Sequence, residues 1–197
     1  MEVKDPTPER LAAFSDGVIA VIITIMVLEL KPPHDATLAS LRELWPTFLA
    51  YLISYLFVGV VWVNHHHLFR YVEHVCATVI WANLAFLFFV SLIPFFTAYL
   101  AENRLDSFTT ALYAFDCVLI ALSFMLLQGT IVREFGDDQK LQALARGSKR
   151  RNRLAVLVYF LAIPAAYLQP YLAIAMIFSM TLIYLVPEKA ESFAKGK

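Results

Sequence analysis

Charge is scarce in this sequence: only 16% of its 197 residues are charged, and 16 Lys and Arg balance 16 Asp and Glu to a formal net charge of zero. The charges are unevenly placed all the same: most of the chain is apolar, and the basic residues cluster in one loop. Cysteine is scarcer still. Cys76 and Cys117 both sit in apolar runs without paired spacing, which argues against a disulfide framework or a cysteine-ligated metal and reads as two small buried hydrophobes. The start, MEVKDPTPER, lacks the short apolar core and small-residue cleavage site of a secretory signal, so the first apolar segment is expected to be retained. Soluble domains, low-complexity tracts and internal repeats are not evident.

What is abundant is apolar surface. Hydrophobic residues make up 60% of the chain, against about 45–50% in ordinary soluble domains. A spanning helix needs about 20 mostly apolar residues, and six segments meet or approach that length: residues 11–30, 46–68, 76–99, 107–130, 154–169 and 170–187. The polar breaks agree. Pro32 and Pro33 stop the first segment, AENRLDS separates the third and fourth, and residues 133–153 hold a break with a short amphipathic helix before a basic end. Gln169-Pro170 reads as a tight turn between two short final helices, with a re-entrant pair as the alternative. The expected fold class is all-α: a polytopic membrane protein, residues 1–197 forming one six-helix transmembrane unit.

Orientation follows from Lys and Arg on alternating sides. Lys4, Arg10, Arg70, Arg133, Lys140, Arg146, Lys149, Arg150, Arg151, Arg153, Lys189, Lys195 and Lys197 share one side, and Lys31, Arg42 and Arg104 the other, thirteen against three. Both termini are therefore expected in the cytoplasm. The run SKRRNR, directly before a membrane segment, reads as a topology signal with lipid-headgroup contact rather than a nucleic-acid site.

With orientation set, a rise of about 1.5 Å per residue compares depths between helices. Ser15 and Asp16 of the first segment, Trp62, Asn64 and His65 of the second, and Asn83 of the third fall in one layer, where isolated polar groups are costly and mutual hydrogen bonding is the expected resolution. Consecutive helical positions lie about 100° apart, so His65, His66 and His67 cannot converge on one ion from a regular helix. A structural role is expected for them, with pH sensing second and metal binding last. Asp116, among apolar neighbours in the fourth segment, must face protein or water rather than lipid.

On the first helix, Phe14, Gly17, Val21, Thr24, Ile25 and Leu28 lie within about 60° of Val21, whereas Asp16 falls near the opposite side. Periodicity alone reads this stripe first as a packing face on a neighbouring helix, with the Thr24 hydroxyl bonded back to Ala20, and second as a pore lining. Glu29, near the outer end, reads as a solvated helix-end acid or as a means of concentrating cations.

The motif Arg10-x-x-x-Phe14-Ser15-Asp16, followed by GVIAVIITIMVLEL, resembles the signature of the endosomal and lysosomal potassium channel family (transmembrane protein 175) and its bacterial relatives. WVNHH in the second segment and ANLAFLFFVSLIPF in the third extend the likeness. The resemblance implies a homotetramer in the bacterial inner membrane, with the first helices of four copies around a central pore. It implies passive conduction of monovalent cations, potassium over sodium, with no enzymatic activity and no cofactor beyond the permeant ion. Carried over by position, Val21, Thr24 and Leu28 would form the hydrophobic constriction, with Val21 smaller than the Ile or Leu usual there. Arg10, Phe14, Ser15, Asp16, Asn64, His65 and Asn83 would form the polar network that braces the helix. The sequence contains no Thr-Val-Gly-Tyr-Gly loop, which excludes a carbonyl filter of that type. The alternative is a proton-coupled secondary transporter using Asp16, Asp116 and the histidines; a histidine-based membrane enzyme is a third reading, disfavoured by the adjacency of the three rings.

Overall fold

A computed structural model describes residues 7–136 and 139–185, all of whose regular structure is helical. The elements are α1 (Pro8–Leu28), α2 (Leu38–Glu43), α3 (Trp45–Phe69), α4 (Ala77–Val90), α5 (Ile93–Glu102), α6 (Ser107–Glu134), α7 (Gln139–Leu168) and α8 (Pro170–Leu185). Local chemistry sets several boundaries. Pro8 opens α1, where a missing N–H costs nothing. The Thr37 hydroxyl caps α2 by accepting from Ser40 N at 3.1 Å, and the Asp106 carboxylate caps α6 by accepting from Phe108 N at 3.0 Å.

Among the described residues, four stretches can cross a bilayer by length and composition: Pro8–Leu28, Trp45–Phe69, Ala77–Glu102 and Ser107–Glu134; Pro170–Leu185 is apolar but shorter. The apolar half of α7, residues 154–168, supplies the partner to α8. The chain is thus an all-α, multi-pass membrane protein.

Two elements differ from the sequence expectation. The third segment is not one helix. It breaks at Ser91 and Leu92 because Pro94 has no N–H to continue the ladder, and the Ser91 hydroxyl donates to Phe88 O at 2.7 Å instead. Conversely, the expected loop with a separate amphipathic helix before the fifth segment is absent. From Gln139 the chain runs as one 30-residue helix through the basic run into the apolar part. The turn from α5 to α6 places Arg104 and Leu105 at φ 51° and 60°. That strain is held by Leu105, which is buried and donates its N–H back to Leu100 O at 2.9 Å.

α6 is the central helix, packed most heavily against α7 and α4. Small residues permit the close approach: Ala111, Ala114 and Cys117 on α6, and Ala155, Ala162 and Ala166 on α7, all buried. α1 lies at the edge, touching α3, α4 and α5 along one face only.

Candidate functional site: the two faces of the first helix

The two faces of α1 are sharply different. Ser15, Ile19, Ile22 and Met26 are sealed against the bundle. Their spacing of three or four residues places them on one side of the helix. The other side carries Phe14, Gly17, Val21, Thr24 and Leu28, all exposed, with Val21 at 54% and Leu28 at 75%. At Gly17 an added Cβ would meet nothing within 4 Å. So the stripe that periodicity first read as a packing face stays exposed among the described residues. The Thr24 hydroxyl donates to Val21 O at 2.8 Å, one residue on from the expected Ala20. Its proton is thereby committed to the backbone, which leaves the oxygen lone pairs free to accept.

The buried face is anchored by a polar relay. His65 Nε2 of α3 donates to Asn83 Oδ1 of α4 at 2.8 Å, Asn83 Nδ2 donates to Ser15 Oγ at 2.9 Å, and Ser15 donates to Leu11 O at 2.9 Å. All three side chains are essentially inaccessible. The His65 ring is clamped between Phe69 and Phe86, with centroids 4.1 and 5.6 Å away. Because the relay lies in hydrocarbon depth, each bond resolves a donor or acceptor that water cannot reach.

The other residues grouped with this relay from the sequence go elsewhere. Asp16 does not join it: its Oδ1 accepts from Trp62 Nε1 at 2.8 Å, a second, more exposed tie between α1 and α3. Asn64 turns away to donate to Val60 O at 2.7 Å and accepts from Arg151 Nη2 of α7 at 3.5 Å. The reason is angular, since Asn64 and His65 share a depth but lie about 100° apart around α3. Arg10 and Phe14 are both exposed, and among the described residues neither joins the relay. The three histidines diverge: His65 faces the core, whereas His66 stacks on Trp62 at 5.5 Å. Among the described residues no cluster of three metal-ligating side chains forms.

Two further polar ties were not anticipated. Ser54 Oγ of α3 is hydrogen-bonded to Tyr113 OH of α6 at 2.9 Å and to Thr97 Oγ1 of α5 at 2.7 Å. Near the other end, Gln128 of α6 donates to Ser148 Oγ at 2.9 Å and accepts from Asn152 Nδ2 at 2.9 Å, both on α7, while Tyr184 OH of α8 donates to Asn152 Oδ1 at 2.8 Å. The available signal was the isolated polar residue in an apolar segment, Ser54, Thr97 and Gln128 among them. Asp116 is fully buried, and neither of its carboxylate oxygens meets a hydrogen-bond partner among the described residues.

Residues 10–94, which hold α1 and the relay, match the family described as endosomal/lysosomal potassium channel TMEM175. The chain is 41% identical over 183 residues to a potassium channel of Chryseobacterium sp. strain P1-3, an alignment covering 93% of this chain and 95% of that one. The chain belongs to this family. A potassium channel of Streptomyces collinus is 34% identical over 89% of this chain and 90% of its own. The fold matches the crystal structure of a lysosomal potassium-selective channel TMEM175 homolog from Chamaesiphon minutus with a TM-score of 0.80 at 29% identity, covering 90% of this chain and 96% of that one. Family members from vertebrates match over 32% to 51% of this chain; the mouse protein, matched over 44%, is named an endosomal/lysosomal proton channel.

Proposed function

We propose that the protein is a potassium-permeable cation channel whose pore is enclosed by the first helices of a homo-oligomer, a tetramer, with Val21, Thr24 and Leu28 forming its narrow part. One observation carries this reading. α1 is fastened along one face by buried contacts and the Ser15–Asn83–His65 relay, while its opposite face presents Val21, Thr24 and Leu28 as a stripe left exposed among the described residues. One helix cannot enclose a pore, so the stripe needs copies of itself. The bacterial relatives, matched over nearly their whole length, are named potassium channels.

In such an assembly, rings of Val21 and Leu28 form apolar constrictions that stop flux by dewetting when narrow. Between them a ring of Thr24 oxygens, each with its proton turned to Val21 O, offers acceptors to a partly dehydrated cation. Conduction is passive. The described cations Arg10, Arg70, Arg133, Arg146, Lys149, Arg150, Arg151 and Arg153 fall at the end where α1 begins, against Lys31, Arg42 and Arg104 at the other. This supports a cytoplasmic N-terminus in a bacterial inner membrane. The proton-coupled transporter has less to stand on: Asp16, His65 and Asp116 do not connect into a path, since the first is bonded to Trp62, the second to Asn83 and the third to no described group.

Purified protein in a planar bilayer tests the proposal. Stepwise currents that reverse near the potassium equilibrium potential, with sodium opposing, are expected. Flux that requires a co-substrate gradient, or currents that follow the pH gradient alone, would overturn it.

A further inference from the structure

The basic run of α7 sorts its cations by face. Arg151 turns inward, its guanidinium 4.3 Å above the Tyr184 ring, and Ser148 and Asn152 beside it are buried in the α6–α7–α8 network. Arg146, Lys149, Arg150 and Arg153 are all exposed. Their spacing of three, four and seven residues places them in a stripe about 100° wide and about 10 Å long. Among the described residues Arg146 and Arg153 donate to backbone carbonyls of their own helix alone, Gln142 O and Lys149 O, both at 3.3 Å. Among the described residues none of the four meets a carboxylate; the ion pair seen there joins Arg133 to Glu134.

The same face continues without a break into apolar side chains. Leu157, Phe160 and Leu161 follow at helical spacing and are about half exposed or more, and Tyr167 and Leu168 close the far end, also exposed. α7 thus presents on one side a cationic stretch, then a hydrocarbon-compatible stretch of about 15 Å, the depth of about one leaflet, with the exposed Tyr167 at its far end. Headgroup charge and acyl chain are matched on one surface, in the order in which a lipid presents them.

We propose that this face of α7 is a binding site for an anionic glycerophospholipid. The phosphate-bearing headgroup lies against Arg146, Lys149, Arg150 and Arg153, and an acyl chain runs along Leu157 and Phe160. Charge complementarity and the continuity of the two stretches select a lipid as the occupant. Since Arg151 and Asn152 link this turn of α7 to Asn64 of α3 and Tyr184 of α8, an occupied site also fixes the end of the bundle to which α1 is tied.

The test uses the full-length protein reconstituted in vesicles of equal parts phosphatidylcholine and phosphatidylglycerol, then gently re-extracted, with co-purifying lipid quantified by mass spectrometry. The ratio of phosphatidylglycerol to phosphatidylcholine in the co-purifying lipid is expected to exceed the bulk ratio of one by about fivefold. The enrichment is expected to vanish in R146Q/K149Q/R150Q/R153Q and to persist in K31Q/R42Q/R104Q, which removes exposed cations from the opposite end. A high-salt wash of the unaltered protein is expected to strip the enrichment too, which keeps the test decisive if the quadruple variant fails to fold. Absence of enrichment in the unaltered protein, or its survival in the quadruple variant, would overturn the proposal. Loss of oligomer in that variant with lipid unchanged would assign the face to a neighbouring subunit. Displacement by inorganic phosphate but not by chloride at equal ionic strength would assign it to a free anion.

Discussion

Asn83 is the residue whose removal tells most about how α1 is held. It is fully buried, donates to Ser15 at 2.9 Å and accepts from His65 at 2.8 Å, so Asn83→Leu, which keeps apolar volume, breaks both links at once. Hydrogen bonds between membrane helices average about 0.6 kcal/mol each, giving about 1.2 kcal/mol for the pair. The His65 N–H is then left sealed at 1% exposure without an acceptor, which adds about 1–3 kcal/mol. Ser15 suffers less, because its own proton still reaches Leu11 O. The total is about 2–4 kcal/mol, or an apparent midpoint lower by roughly 5–15 °C for a chain of this size. Thermal unfolding of purified protein, followed by size-exclusion chromatography, measures it. Ser15→Ala combined with Asn83→Leu should cost less than the sum of the two, since they share a bond. A shift no larger than that of Phe88→Ala, at an exposed site on the same helix, or strict additivity of the pair, would refute the relay.

Three further variants use the same assay. Asp116→Asn carries no charge into an interior that offers its carboxylate no described partner, so the midpoint at pH 8 should rise by a few degrees; a fall of that size would reveal a partner. Asn152→Ala loses its bonds to Gln128 and Tyr184, at 2.9 and 2.8 Å, and should cost about 1–3 kcal/mol. Asn64→Ala should cost less, because its link to Arg151 is 3.5 Å long, and equal losses would contradict the ranking.

Depth was legible in the sequence; azimuth was not. Rise per residue is fixed by helix geometry, so Ser15, His65 and Asn83 could be set in one layer from chain position alone. Which neighbour a residue faces depends on how helices are arranged around it. Asn64, one residue from His65, therefore looked equivalent and in fact points toward α7. The unanticipated Ser54–Tyr113–Thr97 and Gln128–Asn152–Tyr184 ties have the same origin, each joining helices whose adjacency the sequence does not state. The break before α5 was written in Pro94, but an apolar run on both sides masked it. The continuity of α7 was hidden for the opposite reason. Its basic half lacks the hydrophobicity of a span, although Leu, Ala, Arg, Lys and Gln all favour helix. The exposed stripe of α1 was legible as a stripe, and the structure supplies what periodicity lacked, namely that nothing among the described residues covers it.

The central claim, that this stripe lines a conducting pore, is tested most directly by Leu28→Cys in single-channel recording. Leu28 is 75% exposed on α1, whereas Phe88, 59% exposed on α4, serves as a control site away from the stripe. Native Cys117 is buried and Cys76 is half-buried, and the unaltered protein controls for both. If α1 encloses the ion path, a cationic thiol reagent applied in water blocks L28C currents in discrete steps and leaves Phe88→Cys and the unaltered protein conducting. Potassium currents through L28C that persist unchanged under the reagent, with the cysteine shown to be labelled, would contradict the account.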